Sequence, residues 1–377
     1  MRKEDITSLF VYLVMIAIAL IVGLTAVSDA FKNMYNLSFN SFGFTIIVLL
    51  IGLIFNIVML EVFHVLGGKV GKYSVVSFNV LGFCWSKNNN KWKFSFKDFD
   101  GLTGETKLAP KSDKSKLTAY IWFPIIGYII ELITCIIIFT LGQSAGYDSP
   151  LKWMGIASLL FIIISSMIAL YNIVPLKLDS MTDGYRMVLS SKPINVEALN
   201  EVMRIENLQR EGKPVDKVKI FDEITEFTAN VNLYSVYEDL SKGEYENAEN
   251  IIDKMLESKD KISVNTANRL LAQKLYIRIV TSKLSEAEEF YNKKVDDNVR
   301  RFISNDLSME SLRAYVLIAG LLDDSFGEVE YAHSRKSKAI KRSLSGRISI
   351  ENKLYKDALK KVQEAHPDWD LSKALAE

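Results

Sequence analysis

Two cysteines, three histidines and almost no net charge are what this 377-residue chain has least of. Cys84 and Cys135 form neither a C-x-x-C pair nor a disulfide framework, and Cys135 lies inside an apolar run where a thiol packs as a small hydrophobe. His64, His333 and His366 are the whole histidine supply, which excludes a histidine-rich metal site. The formal net charge of +1 lacks the basic excess of a general nucleic-acid binder, so no nucleic acid is expected as a partner.

Hydrocarbon is plentiful but unevenly spread. Hydrophobic residues make up 49% and the mean hydropathy is +0.11, values that average two unlike halves. Up to about residue 175 long apolar runs dominate; beyond it the chain is polar and densely charged. Roughly 18 or more apolar residues can cross a bilayer. Four runs qualify, at about 8–28, 42–64, 119–141 and 153–174. The first ends in "AVS", loosely like a signal-cleavage site, but its apolar core is too long and further spans follow, so it reads as an anchor.

Orientation follows from lysine. Segment 65–118 carries ten lysines, whereas the loops at 29–41 and 142–152 hold only Lys32 and Lys152. Lysine-rich loops stay on the cytoplasmic side. The chain therefore reads as a multi-pass protein of the cell membrane with both termini cytoplasmic. The expected fold is mainly α. Residues 1–190 form a four-helix transmembrane domain with a small cytoplasmic-side β element at about 73–99, and residues 191–377 form an all-α cytosolic domain.

The stretch "NIVMLEVFHVLGG" (56–68) places Glu61 and His64 near the cytoplasmic end of the second run. The fourth run also ends on that side, so "NIVPLKLDSMTDGYR" (172–186) emerges at the same depth. Residues four apart share a helix face. In the zinc-protease pattern H-E-x-x-H, two histidines so spaced hold one metal and the glutamate activates its water. Here the pattern reads L-E-x-x-H: Leu60 stands at the first position. His64 is then one candidate ligand, Glu61 the candidate base, and Asp183 or Asp179 a candidate carboxylate from elsewhere in the chain.

"LEVFHVLGGKVGKYSVVSFNVLGF" and "NIVPLKLDSMTDGYRM" together resemble the site-2 protease family of intramembrane zinc metalloproteases, closest to a largely Gram-positive bacterial subgroup with a polar helical tail. The likeness covers about 42–210. It implies Glu61 as the catalytic glutamate, His64 and Asp183 as zinc ligands, and Asn172, Pro175 and Gly184 as the turn that shapes the site. It also implies a small-residue turn after the metal helix, and a membrane peptide or membrane protein as substrate. Leu60 replaces the missing ligand, which points to a pseudoprotease that keeps the substrate-binding scaffold. The alternatives are an active zinc metalloendopeptidase with an unidentified third ligand, and a small membrane transporter using Glu131, a carboxylate in the middle of the third run.

"YSVVSFNVLGFCW" and "KWKFSFKDF" alternate aromatic and β-branched residues around the turn-like "SKNNN", which predicts a hairpin or small sheet. By the resemblance, this element presents an extended substrate strand to the site. The following "FDGLTGETKLAP" reads as a loop without phosphate-binding spacing. In the polar half, helices are expected from "NVEALNEVMRIENLQREG" onward. The spacing of Leu240, Gly243, Tyr245 and Ala248 suggests a tetratricopeptide-type hairpin, though no fixed period emerges. Such a tail would bind a cytosolic protein. The basic run 333–347 reads as a solvated face or a contact for anionic lipid.

Overall fold

The computed structural model describes Val14, Ala17 and residues 39–376, apart from 89–90, 97–103, 113, 147, 176–181, 214, 216–217 and 344. Of the expected span at 8–28, only Val14 and Ala17 fall among them, and Asp179 lies outside them. The chain divides into two compact units, Met1–Val196 and Glu197–Glu377.

The first unit is built on three long helices, α1 (Phe39–Val70), α2 (Leu117–Gln143) and α3 (Pro150–Ile173), packed on one another. Among the described residues these three are long and apolar enough to cross a membrane, over Gly43–Val70, Ala119–Gln143 and Pro150–Ile173. Their polarity is inverted relative to a water-soluble bundle. Ile47, Leu50, Ile51, Ile129, Ile130, Ile133 and Ile137 face outward, while Asn56, Ser158 and Ser165 are buried between the helices. That arrangement suits a hydrocarbon solvent, in which polar side chains bond across the bundle. Helix α3 starts where its chemistry says it should: Ser149 caps the Leu151 amide and Pro150 fills the first helical position.

Helix α1 does not stop at a small-residue turn after His64. It runs on through Gly67 and Gly68 to Val70. The two glycines serve close approach: a Cβ on Gly67 would sit 2.5 Å from the Ala119 carbonyl oxygen, and one on Gly68 2.7 Å from Leu108. The chain reverses only at Gly71–Lys72, where Lys72 takes a left-handed φ of 64°.

Four antiparallel strands follow, β1 (Tyr73–Val80), β2 (Phe83–Asn88), β3 (Lys91–Phe96) and β4 (Gly104–Pro110), in the order β3-β2-β1-β4. "YSVVSFNVLGFCW" is thus two strands, split at Leu81–Gly82, whose φ values of 52° and 84° are the positive pair a tight hairpin turn requires. The segment read as a loop at 99–110 ends in a strand. Thr106, Leu108 and Ala109 of β4 are buried, and β4 pairs with the whole of β1 around a bulge between Val75 and Ser77. Burial against β1 and α1 outweighs the turn signal of its glycines.

Register fixes which residues share a face. Thr106 and Leu108 of β4 meet α1. Thr106 is paired with Phe78, Phe78 with Trp85, and Trp85 with Phe94. Directly paired residues point to the same side of a sheet. The α1-facing side therefore continues outward as Phe83, Trp85, Trp92, Phe94 and Phe96, all between 41% and 69% exposed and mutually in ring contact apart from Trp92. The opposite side of β3 carries Lys91 and Lys93.

Helix α5 (Pro193–Arg210) runs across the division between the units, and the second unit continues with paired helices α6 (Glu226–Lys242) and α7 (Tyr245–Glu257), then α8 (Val264–Thr281) and α9 (Leu284–Lys294). Gly243 closes α6 in the left-handed conformation at φ 79°. Helices α10 (Asp297–Asn305), α11 (Met309–Leu317), α12 (Phe326–Arg342), α13 (Ile348–Ala365) and α14 (Ser372–Ala376) complete it. The core gathers Val236, Leu240, Ile252, Leu270, Leu312 and Leu359. His333 lies over Tyr355, and His366 stacks on Trp369 with centroids 3.9 Å apart, so both histidines pack as structural residues.

Candidate functional site

Glu61 and His64 lie on one face of α1, one turn apart, and both are buried. At 1.5 Å per residue Glu61 stands about 27 Å along the helix from Gly43, inside the apolar stretch Gly43–Val70. A buried carboxylate at that position needs donors, and β4 supplies one. Thr106 Oγ1 donates to Glu61 Oε2 at 2.6 Å. The signal for Thr106 is present in "GETKLAP", where Thr106 and Leu108 alternate with Glu105 and Lys107, the pattern of a half-buried strand.

His64 meets Asp183, 119 residues further on: Nε2 and Oδ2 are 3.0 Å apart. The other ring nitrogen, Nδ1, is buried without a hydrogen bond, with Glu61 Oε2 at 3.6 Å. The Tyr120 ring from α2 packs over the imidazole, centroids 4.8 Å apart.

Asp183 is held by the start of a short helix, α4 (Asp183–Ser190). Thr182 caps it, accepting from the Tyr185 amide, and its hydroxyl donates to the Val174 carbonyl at 2.7 Å, tying the helix start to the end of α3. Gly184 sits so close to the Ile173 carbonyl that any Cβ would collide with it. Burial works to raise the Asp183 carboxyl, but the His64 hydrogen bond and charge, with Arg186 at 3.6 Å, hold it below the ordinary aspartate value. Thr182, Arg186 and Tyr120 carry no motif signature, and their parts follow only from the tertiary contacts.

Asn172 is inside α3, not in a turn, and donates to the Tyr128 hydroxyl at 3.0 Å; Pro175 follows the helix end and is exposed. Glu131 is away from the site, bonded to Asn56 and Ser165. The structure thus brings Glu61, His64 and Asp183 together with Gly184 beside them, while Asn172 bonds Tyr128 and Glu131 bonds Asn56 and Ser165.

A catalytic zinc site takes three protein donors and keeps one position for water. Leu60 is a hydrocarbon and donates nothing. His64 Nε2 and the Asp183 carboxylate are bonded to each other, and among the described residues no three His, Cys, Asp or Glu side chains are grouped to hold a metal. The residues present do not fit a zinc centre. What they form is a buried carboxylate–imidazole–carboxylate cluster joining α1, β4 and α4. No protein-family model, curated protein or solved structure matches this chain.

Proposed function

We propose that this chain is a membrane-embedded peptide-binding scaffold of the site-2-protease type whose metal centre is lost, a pseudoprotease. One observation carries the reading. The two motifs that such a fold brings together, L-E-x-x-H on α1 and Asp–Gly on α4, lie 119 residues apart and meet through His64 and Asp183 at 3.0 Å. Where a metal would bridge α1 to α4, a direct imidazole–carboxylate bond makes the link. The bond secures the geometry and takes up the donors that chemistry would use.

In this reading the membrane holds four spans, residues 8–28 being the first, with the lysine-rich segment 65–118 and both termini on the cytoplasmic side. The sheet lies alongside the last third of α1, its β1–β2 turn near the level of Glu61. Its aromatic face then continues from the site toward lipid. Phe83 pairs with Phe96 at the deep end and Lys87 with Trp92 at the shallow end, a gradient that matches the lipid–water boundary. An extended membrane peptide would be gripped there, and the helical tail would bind a cytosolic protein.

The test uses single-span peptides carrying a photo-crosslinker, co-reconstituted with the protein in bilayers. Glu61→Gln is expected to leave crosslinking unchanged. Trp85→Ser with Phe94→Ser removes two aromatic anchors and is expected to lower it at least tenfold, a loss of about 1.4 kcal/mol or more. Cleavage products that vanish in Glu61→Gln would instead establish an active endopeptidase and refute the pseudoprotease reading.

A further inference from the structure

The stretch that joins α1 to β1 and the stretch that joins β4 to α2 are tied together by their main chains. The Lys116 amide donates to the Gly71 carbonyl at 2.8 Å and the Lys111 amide to the Lys72 carbonyl at 3.2 Å. The Ser115 hydroxyl donates to the same Lys72 oxygen at 2.9 Å. Lys69, Lys72, Lys111, Lys114 and Lys116 are thereby gathered around one small knot of backbone, and all are exposed. Over 69–72 and 111–116 the sequence offers a single acidic residue, Asp113. Among the described residues none of these lysines is in an ion pair, and α2 has no acidic residue in its first turn.

Lysines that only set orientation during insertion need to be near a span in sequence, and need no fold. Here folding brings two separate stretches of lysine side by side, which adds repulsion. An anion among them would turn that cost into attraction. Position indicates its source. Lys69 and Lys72 flank the end of the apolar helix Gly43–Val70, and Lys116 closely precedes the apolar helix Ala119–Gln143. Membrane-length helices end at the headgroup layer. Leu66 and Val70 of α1 and Trp122 of α2 are exposed beside these ends, and tryptophan with lysine is the usual composition of that boundary.

We propose that Lys69, Lys72, Lys111, Lys114 and Lys116 form a docking site for the phosphate headgroup of an anionic phospholipid. Clusters of about four to eight basic residues directly beside a span attract such lipids. The ammonium groups donate to the phosphate oxygens, and the acyl chains stay in hydrocarbon beside α1 and α2. A free phosphate could use the same donors but brings no chains, so the lipid binds more tightly. The site does not depend on the peptide-binding reading.

The full chain, stripped of lipid in a zwitterionic detergent, is titrated with phosphatidylglycerol and with phosphatidylcholine, and bound lipid is counted by native mass spectrometry. Phosphatidylglycerol is expected to bind at least about tenfold more tightly. Lys116→Gln is expected to weaken it about fivefold, and Lys69→Gln, Lys111→Gln and Lys116→Gln together about 100-fold. Removing equal charge from the β2–β3 hairpin, by Lys87→Gln, Lys91→Gln and Lys93→Gln, is expected to leave the affinity unchanged. Equal affinity for the two lipids, or an equal loss from the hairpin variant, overturns the proposal. Displacement of the lipid by millimolar inorganic phosphate would assign the lysines to a soluble anion and also overturns it.

Discussion

Gly184→Val is expected to lower the unfolding temperature of the membrane unit and to release Asp183 from His64, at a cost of at least about 3 kcal/mol, the upper end for overpacked sites. The position allows no Cβ, because the atom in the way is the Ile173 carbonyl of the backbone, which no side-chain rotation can move. Relief requires α4 to swing away from the end of α3, breaking the Thr182 bond to the Val174 carbonyl and carrying Asp183 with it. His64 would then be a buried side chain short of its partner, costing about 1–3 kcal/mol, while Glu61 keeps its bond from Thr106. Thermal unfolding in detergent beside Thr182→Val, which loses the cap and its Val174 bond without a clash, separates the two contributions. An unfolding temperature for Gly184→Val equal to that of the parent protein would show that α4 is not seated on α3 as described.

Arg313→Met is expected to destabilise the helical unit by about 3–5 kcal/mol, the usual result of removing one partner from a buried ion pair. Arg313 of α11 is fully buried, donating to Glu351 of α13 and Gln273 of α8, each at 2.5 Å. Its guanidinium lies over the Tyr276 ring, 5.0 Å from the centroid. Arg347 bonds Glu310 at 2.8 Å and Glu351 at 2.7 Å, and stacks on Tyr237 at 3.8 Å. Two arginines and two glutamates therefore balance inside the core. Methionine would fill most of the arginine volume, so the loss reports charge more than packing. Adding Glu351→Met should recover part of the stability, because the stranded charge goes with it. Hydrogen exchange of the α8, α11 and α13 amides is the readout. Unchanged protection in Arg313→Met would show that the network is not buried as a unit.

The apolar runs make the long helices legible, because a bilayer-length stretch of hydrocarbon has few other structures open to it. The placement of Glu61, His64 and Asp183 at one depth can be read from the order of the spans and the lysine asymmetry. Three things cannot. Gly67 and Gly68 look like a turn in the sequence, but they are helical, since the same lack of a Cβ that permits a turn also permits a backbone to come within contact of α2. Thr106 reads as part of a loop because the glycines of "FDGLTGETKLAP" outweigh its short alternation, and the strand forms only when β1 and α1 are present to cover it. Glu131 announces itself as an intramembrane carboxylate, but its partners Asn56 and Ser165 are 75 and 34 residues away, beyond any local pattern. Local chemistry is written in the sequence; which local chemistries meet is decided by packing.

The decisive quantity is zinc per chain in detergent-purified protein, measured for the chain as it stands and for Leu60→His. Zinc bound near one per chain in Leu60→His and absent from the parent is the predicted result, because the restored imidazole would complete a donor set whose other members, His64 and Asp183, are already in place. Near-stoichiometric zinc in the parent protein would contradict the proposed loss of a metal centre, and no zinc in either would contradict the proposal that a protease-type scaffold underlies it.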